Sequence, residues 1–378
     1  MKTIAIDGNE ANIPNRVGVN VYAYEIMRGL HKLQDTWKDE YRFIIFLKEK
    51  PLPGLPREVK NTWEYRVLPG RGLWILTRLM PYLFFTKDKP NLLFSPSHYT
   101  VPFSPIPRVC SIMDLGYLKF SGQFKKIVFW QLKYWSAISI RVSKYIIAIS
   151  KATRDDIVRH YPFASEKIIV TLLGFDSKKF NSQVSSNDVR RICDKYHIVD
   201  DYILYLSTLK PSKNIGGLLE AFAKINDREL NIKLIIAGKK GWMYEQIFKK
   251  VQTLGLTERV VFTDFVPEED KPALMAGAKV LVCPSFWEGF GMIALEAMAV
   301  GTPVVVSDIA SFPEVVGKAG ILVNPKDPTS IATGIEKVLN MPEKQYNELV
   351  ARGAAQAKKF SWEKVAKQTL EVFRKAIH

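Results

Sequence analysis

Nine short runs of β-branched and other apolar residues punctuate the 378-residue chain, at 3–6, 43–47, 92–95, 109–112, 145–149, 202–206, 233–237, 280–283 and 303–306, and stretches of helical period separate them. Strands alternating with helices specify parallel sheets covered by helices, because each parallel pair needs a crossover long enough to hold a helix. Five runs precede a polar, Ser- and Asn-rich segment at 175–188 and four follow it. The length exceeds the usual size of one hydrophobic core, so the segment reads as a hinge. The expectation is an α/β protein of two Rossmann-like, doubly wound domains, 1–178 and 179–359, with a C-terminal helix at 360–378 packing back on the first. In such domains ligands bind outside the carboxyl ends of the strands, and the cleft between the two is the expected active site.

Three cysteines, Cys110, Cys193 and Cys283, are odd in number and widely spaced, which argues against a disulfide framework or a zinc site and for a reducing cytosol. The N-terminal apolar run is too short for a signal peptide. The most apolar long stretch, 127–150, is interrupted by Lys133, Arg141 and Lys144, so no transmembrane segment is expected. The net charge of +16 is uneven: residues 1–185 hold 28 Lys and Arg against 15 Asp and Glu. That excess suggests an anionic partner for the first half. At 120–144, cations alternate with Phe124, Phe129, Trp130, Tyr134 and Trp135, and 71–89 is similar. Aromatics beside cations suit an anionic membrane surface, while a half-buried helix with its aromatics packed inward reads equally well. Nucleic acid is disfavoured, since no nucleic-acid-binding motif accompanies the charge.

The densest chemical signal lies at 282–299. Val282-Cys283-Pro284-Ser285 ends a strand, Phe286-Trp287-Glu288-Gly289-Phe290-Gly291 forms a glycine-bearing turn, and Met292-Ile293-Ala294-Leu295-Glu296-Ala297-Met298-Ala299 has helical composition. Free N–H groups at such a helix start receive phosphate or sugar oxygens, and Gly289 and Gly291 allow close backbone approach. Glu288 and Glu296 are eight residues apart, roughly 12 Å along a helix. The paired carboxyls of retaining glycosidases stand about 5 Å apart, so these two acids suit separate grips on one long ligand. Two glutamates at this spacing are by themselves ordinary surface charge, and the flanking residues decide otherwise.

The motifs Pro284-Ser285-x-x-Glu288-Gly289-Phe290-Gly291 and Glu296-Ala297-Met298-Ala299-x-Gly301-Thr302-Pro303-Val304-Val305 resemble those of glycosyltransferase family four, retaining enzymes of the GT-B fold. The likeness extends through Phe312-Pro313-Glu314-Val315-Val316-Gly317, Gly320-Ile321-Leu322-Val323 and Phe360-Ser361-Trp362. It implies that Glu288 contacts the donor sugar, that the backbone from Phe290 through Met292 to Ile293 holds sugar hydroxyls, and that Glu296 binds the nucleotide ribose. The segment 204–215 resembles the family's phosphate loop, which puts Thr208 and Lys213 at the diphosphate. There a lysine ammonium neutralises the leaving group as a metal would. None of the seventeen aspartates forms an Asp-x-Asp pair, so metal independence is expected, with no cofactor beyond the nucleotide-diphosphate sugar as substrate. Gly18 matches the family's glycine loop after the first strand, and Asp114 matches the acid of its His-Asp pair.

The chain departs from the family pattern at Asn20, where a second glycine is usual, at Met113, where a histidine is usual, at Ser207-Thr208 in place of Gly-Arg, and at Ile293 in place of proline. Asn20, Met113 and Ile293 bear on sugar choice more than on nucleotide grip, whereas Ser207-Thr208 bears on one phosphate contact. His98 is the nearest imidazole in sequence to the missing one. The Ala237–Glu245 stretch and the 208–214 loop look most like bacterial mannosyltransferases of cell-surface polysaccharide synthesis. GDP-mannose is therefore the first donor expected, with a glycan or lipid-linked acceptor, and the location cytoplasmic, at the inner face of the membrane. A non-catalytic nucleotide-sugar-binding protein is the alternative. A nicotinamide oxidoreductase is disfavoured because no G-x-G-x-x-G follows the first strand.

Overall fold

The computed structural model describes residues 1–225, 231–241 and 244–377. Trp242 and Met243 of the stretch likened to mannosyltransferases, and His378, lie outside the described residues. The chain divides into two compact units, one of Met1–Gly174 with Ser361–His378 and the other of Phe175–Phe360. Gly174 allows the chain to close on itself inside the first unit, since a Cβ there would stand 2.3 Å from the Trp362 backbone nitrogen.

The first unit is a parallel sheet of β1 (Lys2–Asp7), β2 (Tyr41–Leu47), β3 (Trp63–Val67), β4 (Leu92–Ser95), β5 (Arg108–Ile112), β6 (Tyr145–Ala148) and β7 (Ile168–Val170), in the order β3-β2-β1-β4-β5-β6-β7. The second unit is a parallel sheet of β8 (Tyr202–Leu206), β9 (Lys233–Ala237), β10 (Val260–Asp264), β11 (Val280–Cys283), β12 (Val304–Ser307) and β13 (Ile321–Val323), in the order β10-β9-β8-β11-β12-β13. Both are doubly wound α/β sheets: the order reverses between β1 and β4 in one and between β8 and β11 in the other, and at those two places the loops diverge and leave a crevice.

Central strands are apolar throughout because helices cover both their faces. Ile4, Ala5 and Ile6 of β1, and Val280, Leu281 and Val282 of β11, are wholly buried. In the first unit helix Val19–Lys32 buries Tyr22, Ile26, Met27 and Leu30 along one stripe. It meets helix Trp362–Ile377, whose Ala366 lies where a Cβ on Gly29 would be only 2.8 Å away. The second core gathers Leu218, Leu219 and Phe222 of helix Ile215–Lys224 with Ile331 and Ile335 of helix Pro328–Leu339 over β8 to β11. Within the 175–188 segment Phe180 is buried, and Ser185 caps helix Ser186–Lys195 by accepting from the Asp188 N–H.

Candidate active site

The crevice of the second unit lies where β8 and β11 run side by side, and both chain segments leaving these strands carry polar residues. After β8 a short 3-10 turn, Pro211–Lys213, leads to Asn214, which adopts a left-handed conformation (φ 55°) and caps helix Ile215–Lys224 by accepting from the Gly217 N–H at 3.3 Å. Asparagine tolerates this conformation better than most residues. Its amide also donates to the Pro325 carbonyl at 2.6 Å, which fixes the turn from a second side. The turn holds Lys213 with its side chain only 13% exposed.

After β11, Ser285 is buried, and its carbonyl accepts the Ser307 hydroxyl from the end of β12 at 2.6 Å. The Phe286 N–H donates to the Ser212 carbonyl at 2.9 Å, tying the two segments together. Glu288 follows, and its Oε1 receives the Lys213 ammonium and, at 3.0 Å, the Ser285 hydroxyl. The Ser311 hydroxyl donates to the Glu288 carbonyl at 3.1 Å. The carboxylate is therefore held through its side chain and its backbone, in a half-buried place where charge-assisted bonds are strong. Beneath it, burial and the Glu288 charge push the Cys283 thiol up to about 12, so it stays neutral. The buried Tyr205 hydroxyl, raised by burial and by the nearby Glu288 charge, finds no hydrogen-bond partner among the described residues.

Helix Met292–Val300 starts at Gly291, whose φ of 89° and lack of a side chain are both required: a Cβ would meet Phe312 Cε1 at 2.6 Å. Among the described residues no side chain caps this end, so the first-turn N–H groups at Met292 and Ile293 are left for an anion or hydroxyl oxygen. Met292, Ile293 and Gly289 are half-buried, while Phe290 is buried and stands edge-on to Phe360. Glu296 lies one turn further along, half-buried, and its carboxylate makes no hydrogen bond or ion pair among the described residues. Burial raises it to about 7, Glu268 and Asp176 push the same way, and Lys271 and Lys179 pull against them.

The structure thus brings together Lys213, Glu288, Gly289, Phe290, Gly291, Met292, Ile293 and Glu296, with Thr208 exposed on the loop leaving β8. Gly18 and Asp114 belong to the first unit. Gly18 starts helix Val19–Lys32 at φ 52°, and Asn20, standing where a second glycine was expected, donates to Glu10 at 2.5 Å. Asp114 follows β5 and accepts the Gly116 N–H at 2.7 Å. Met113 contributes its backbone carbonyl to the Thr153 hydroxyl, and the His98 ring packs on Tyr99 with Nε2 buried and unpartnered among the described residues. Burial lowers the His98 imidazole to about 4.

Ser285, Ser311 and Asn214 hold the site and were not among the expected site residues, although Asn214 follows Lys213 in the phosphate-loop resemblance. The Ser-x-x-Glu spacing was the available signal for Ser285, whereas Ser311 comes from a distant loop. Among the described residues no group of three or more His, Cys, Asp and Glu side chains is placed to hold a metal ion. A cavity of about 480 Å³ next to the joint is walled by Lys210, Asn214, Lys250 and Phe286; Lys213 and both glutamates lie outside its lining.

Comparison with known proteins follows the same outline. The family model "Glycosyl transferases group 1" matches residues 197–356. The O-antigen chain mannosyltransferase B of Escherichia coli is 35% identical over 337 residues, 88% of this chain and 83% of that protein. The O-antigen chain mannosyltransferase RfbU of Salmonella typhimurium is 28% identical over 300 residues, 79% of this chain and 80% of that one. Among solved structures, that of Anabaena Alr3699/HepE in complex with UDP superposes with a TM-score of 0.71 at 19% identity, over 99% of this chain and 100% of that one. At that identity the superposition speaks for the fold alone. With one relative above 30% identity over most of both chains, and the family model lying across the β8 to β13 sheet, the protein belongs to the group 1 glycosyltransferases, family four, of the GT-B fold.

Proposed function

We propose that the protein transfers a hexose from a nucleotide-diphosphate sugar, with GDP-mannose as first donor, to a glycan or lipid-linked acceptor in cell-surface polysaccharide synthesis, with retention of anomeric configuration. The observation that carries this reading is the Lys213–Glu288 pair, half-buried at the carboxyl ends of β8 and β11, with the Glu296 carboxylate, unpartnered among the described residues, on the helix that follows. A cation suits the diphosphate, an aimed carboxylate beside a helix start suits the sugar on one side of it, and a second carboxylate suits the ribose on the other. The mannosyltransferase relatives support mannose as the sugar. The three free cysteines support a cytoplasmic location.

In this reading the Lys213 ammonium turns from Glu288 to the donor diphosphate and stabilises charge as it leaves. Glu288, still aimed by Ser285, accepts from sugar hydroxyls, and the N–H groups of Met292 and Ile293 donate to sugar oxygens. The acceptor hydroxyl attacks the anomeric carbon on the face that the diphosphate departs. The bond from that carbon to the phosphate oxygen breaks, the new glycosidic bond forms, and the departing oxygen takes the hydroxyl proton. No separate base is needed.

The test is a panel of GDP-mannose, UDP-glucose and UDP-N-acetylglucosamine with released nucleotide measured. Release should be fastest from GDP-mannose and fall by about 10²–10³-fold in Lys213→Ala and Glu288→Gln, with the fold preserved. Near-normal turnover in both variants would sink the assignment. Binding of a nucleotide sugar without any release would favour a sensor of the same fold.

A further inference from the structure

Residues 65–154 contain fourteen Lys and Arg but only two acids, Asp88 and Asp114, so this one stretch carries nearly all of the first half's positive excess. Sheet register shows where the stretch lies in the first unit. Ala5 pairs with Leu93, Ser95 with Cys110 and Cys110 with Ile146, so these residues point to one side of the sheet. Leu79 and Leu83, in the turn Ile75–Leu79 and helix Met80–Phe85, pack on Ala5 and Leu93. Ile140 of helix Lys126–Val142 packs on Cys110 and Ile146. Both cationic, aromatic-rich segments therefore form one layer. Helices Val19–Lys32 and Trp362–Ile377 cover the other side, where Phe373 meets Phe94.

The outer surface of that layer is apolar where it should be polar. Along helix Lys126–Val142, Ile127 (76% exposed), Trp130 (45%), Tyr134 and Ile138 follow one another at helical spacing on the exposed side. Phe84 and Phe85 (85%) are exposed at the end of the other segment. Trp130 and Tyr134 stack on each other, and the Lys133 ammonium lies 4.8 Å from the Trp130 ring centre. Lys125, Lys126 and Arg141 border the same exposed side. The helix is about 25 Å long, and no helix among the described residues is long and apolar enough to cross a membrane.

We propose that this layer is a docking surface for an anionic phospholipid bilayer, on which helix Lys126–Val142 lies in the plane of the headgroups with Ile127, Trp130, Tyr134 and Ile138 buried at the acyl boundary. The cations from 115 to 154, with no acid between them in sequence, attract the anionic headgroups, and the Trp and Tyr rings suit the interface. Aliphatic Ile127 and Ile138 at the two ends of the stripe favour lipid over nucleic acid, to which they offer no stacking face. The inference stands apart from the donor reading, and its failure would leave that reading untouched.

The test is co-sedimentation of the full chain with phosphatidylcholine vesicles, with and without phosphatidylglycerol. Binding should require phosphatidylglycerol and weaken with salt. It should fall by at least about tenfold in Ile127→Glu and in Trp130→Glu, while Trp130→Phe keeps most of it and nucleotide release in solution is unchanged in all three. Lys125→Glu with Lys126→Glu, which alters only surface charge, should also lose binding and guards against misfolding of the apolar variants. Absence of binding to the anionic vesicles, equal binding to neutral ones, undiminished binding by folded Ile127→Glu and Trp130→Glu, or retention by single-stranded DNA in place of vesicles would each overturn the proposal.

Discussion

Glu288 and Glu296 have the same side chain, and their surroundings give them opposite electrostatics. Glu288 is compensated by Lys213 and Ser285, whereas Glu296 is half-buried with no bonded partner among the described residues and rises to about 7. An acid whose folded value lies above its ordinary 4.5 holds its proton more tightly folded than unfolded, so between about pH 4.5 and 7 stability falls as pH rises. Glu296→Gln removes that dependence. At about pH 8 the variant should be more stable than the parent by about 1–2 kcal/mol, the difference vanishing near pH 4.5, as thermal unfolding across pH would show. A pH-independent difference would mean the carboxylate is compensated in solution. The same variant should bind nucleotide more weakly, since an amide is a poorer acceptor for ribose hydroxyls than a carboxylate. Both glutamates were legible in the sequence because an extended motif surrounds them. The Glu268, Lys271, Lys179 and Asp176 field around Glu296 was not, because it comes from a loop and a turn far away in the chain.

At the level of elements, the nine apolar runs correspond to β1, β2, β4, β5, β6, β8, β9, β11 and β12, and the four further strands are β3, β7, β10 and β13. All four are sheet edges. An edge strand is only partly covered, so β3 and β10 carry polar residues (Glu64 and Arg66, Thr263 and Asp264), whereas β7 and β13 are wholly apolar but only three residues long, too short a run to mark a strand. The strand-turn-helix at 280–300 was readable as a type, but the reason for Gly291 was not: its positive φ and its contact with Phe312, twenty-one residues on, exist only once the helix Phe312–Val316 has packed. Gly291→Ala should cost about 1–3 kcal/mol of stability and weaken nucleotide binding, because the helix start must shift or Phe312 must move. Calorimetry with and without nucleotide would check this, and an unchanged unfolding temperature would refute the strain.

At the level of the whole chain, the C-terminal helix Trp362–Ile377 completes the first unit from the far end of the sequence. Phe373 is wholly buried against Phe94 and Phe43, and Trp362 stands beside Tyr22. Phe373→Ala should cost about 3–5 kcal/mol, read as faster hydrogen exchange in β2 and β4, and unaltered protection there would contradict this packing. What the sequence determined by itself follows from its local and periodic character: parallel α/β sheets, the strand-turn-helix at Glu288, and the family to which those motifs belong. The tertiary structure alone decided which groups meet. Lys213 and Glu288 are seventy-five residues apart, and they touch because β8 and β11 are neighbours in a sheet whose order reverses between them. Strand order is set by packing among distant segments, so no local pattern carries it.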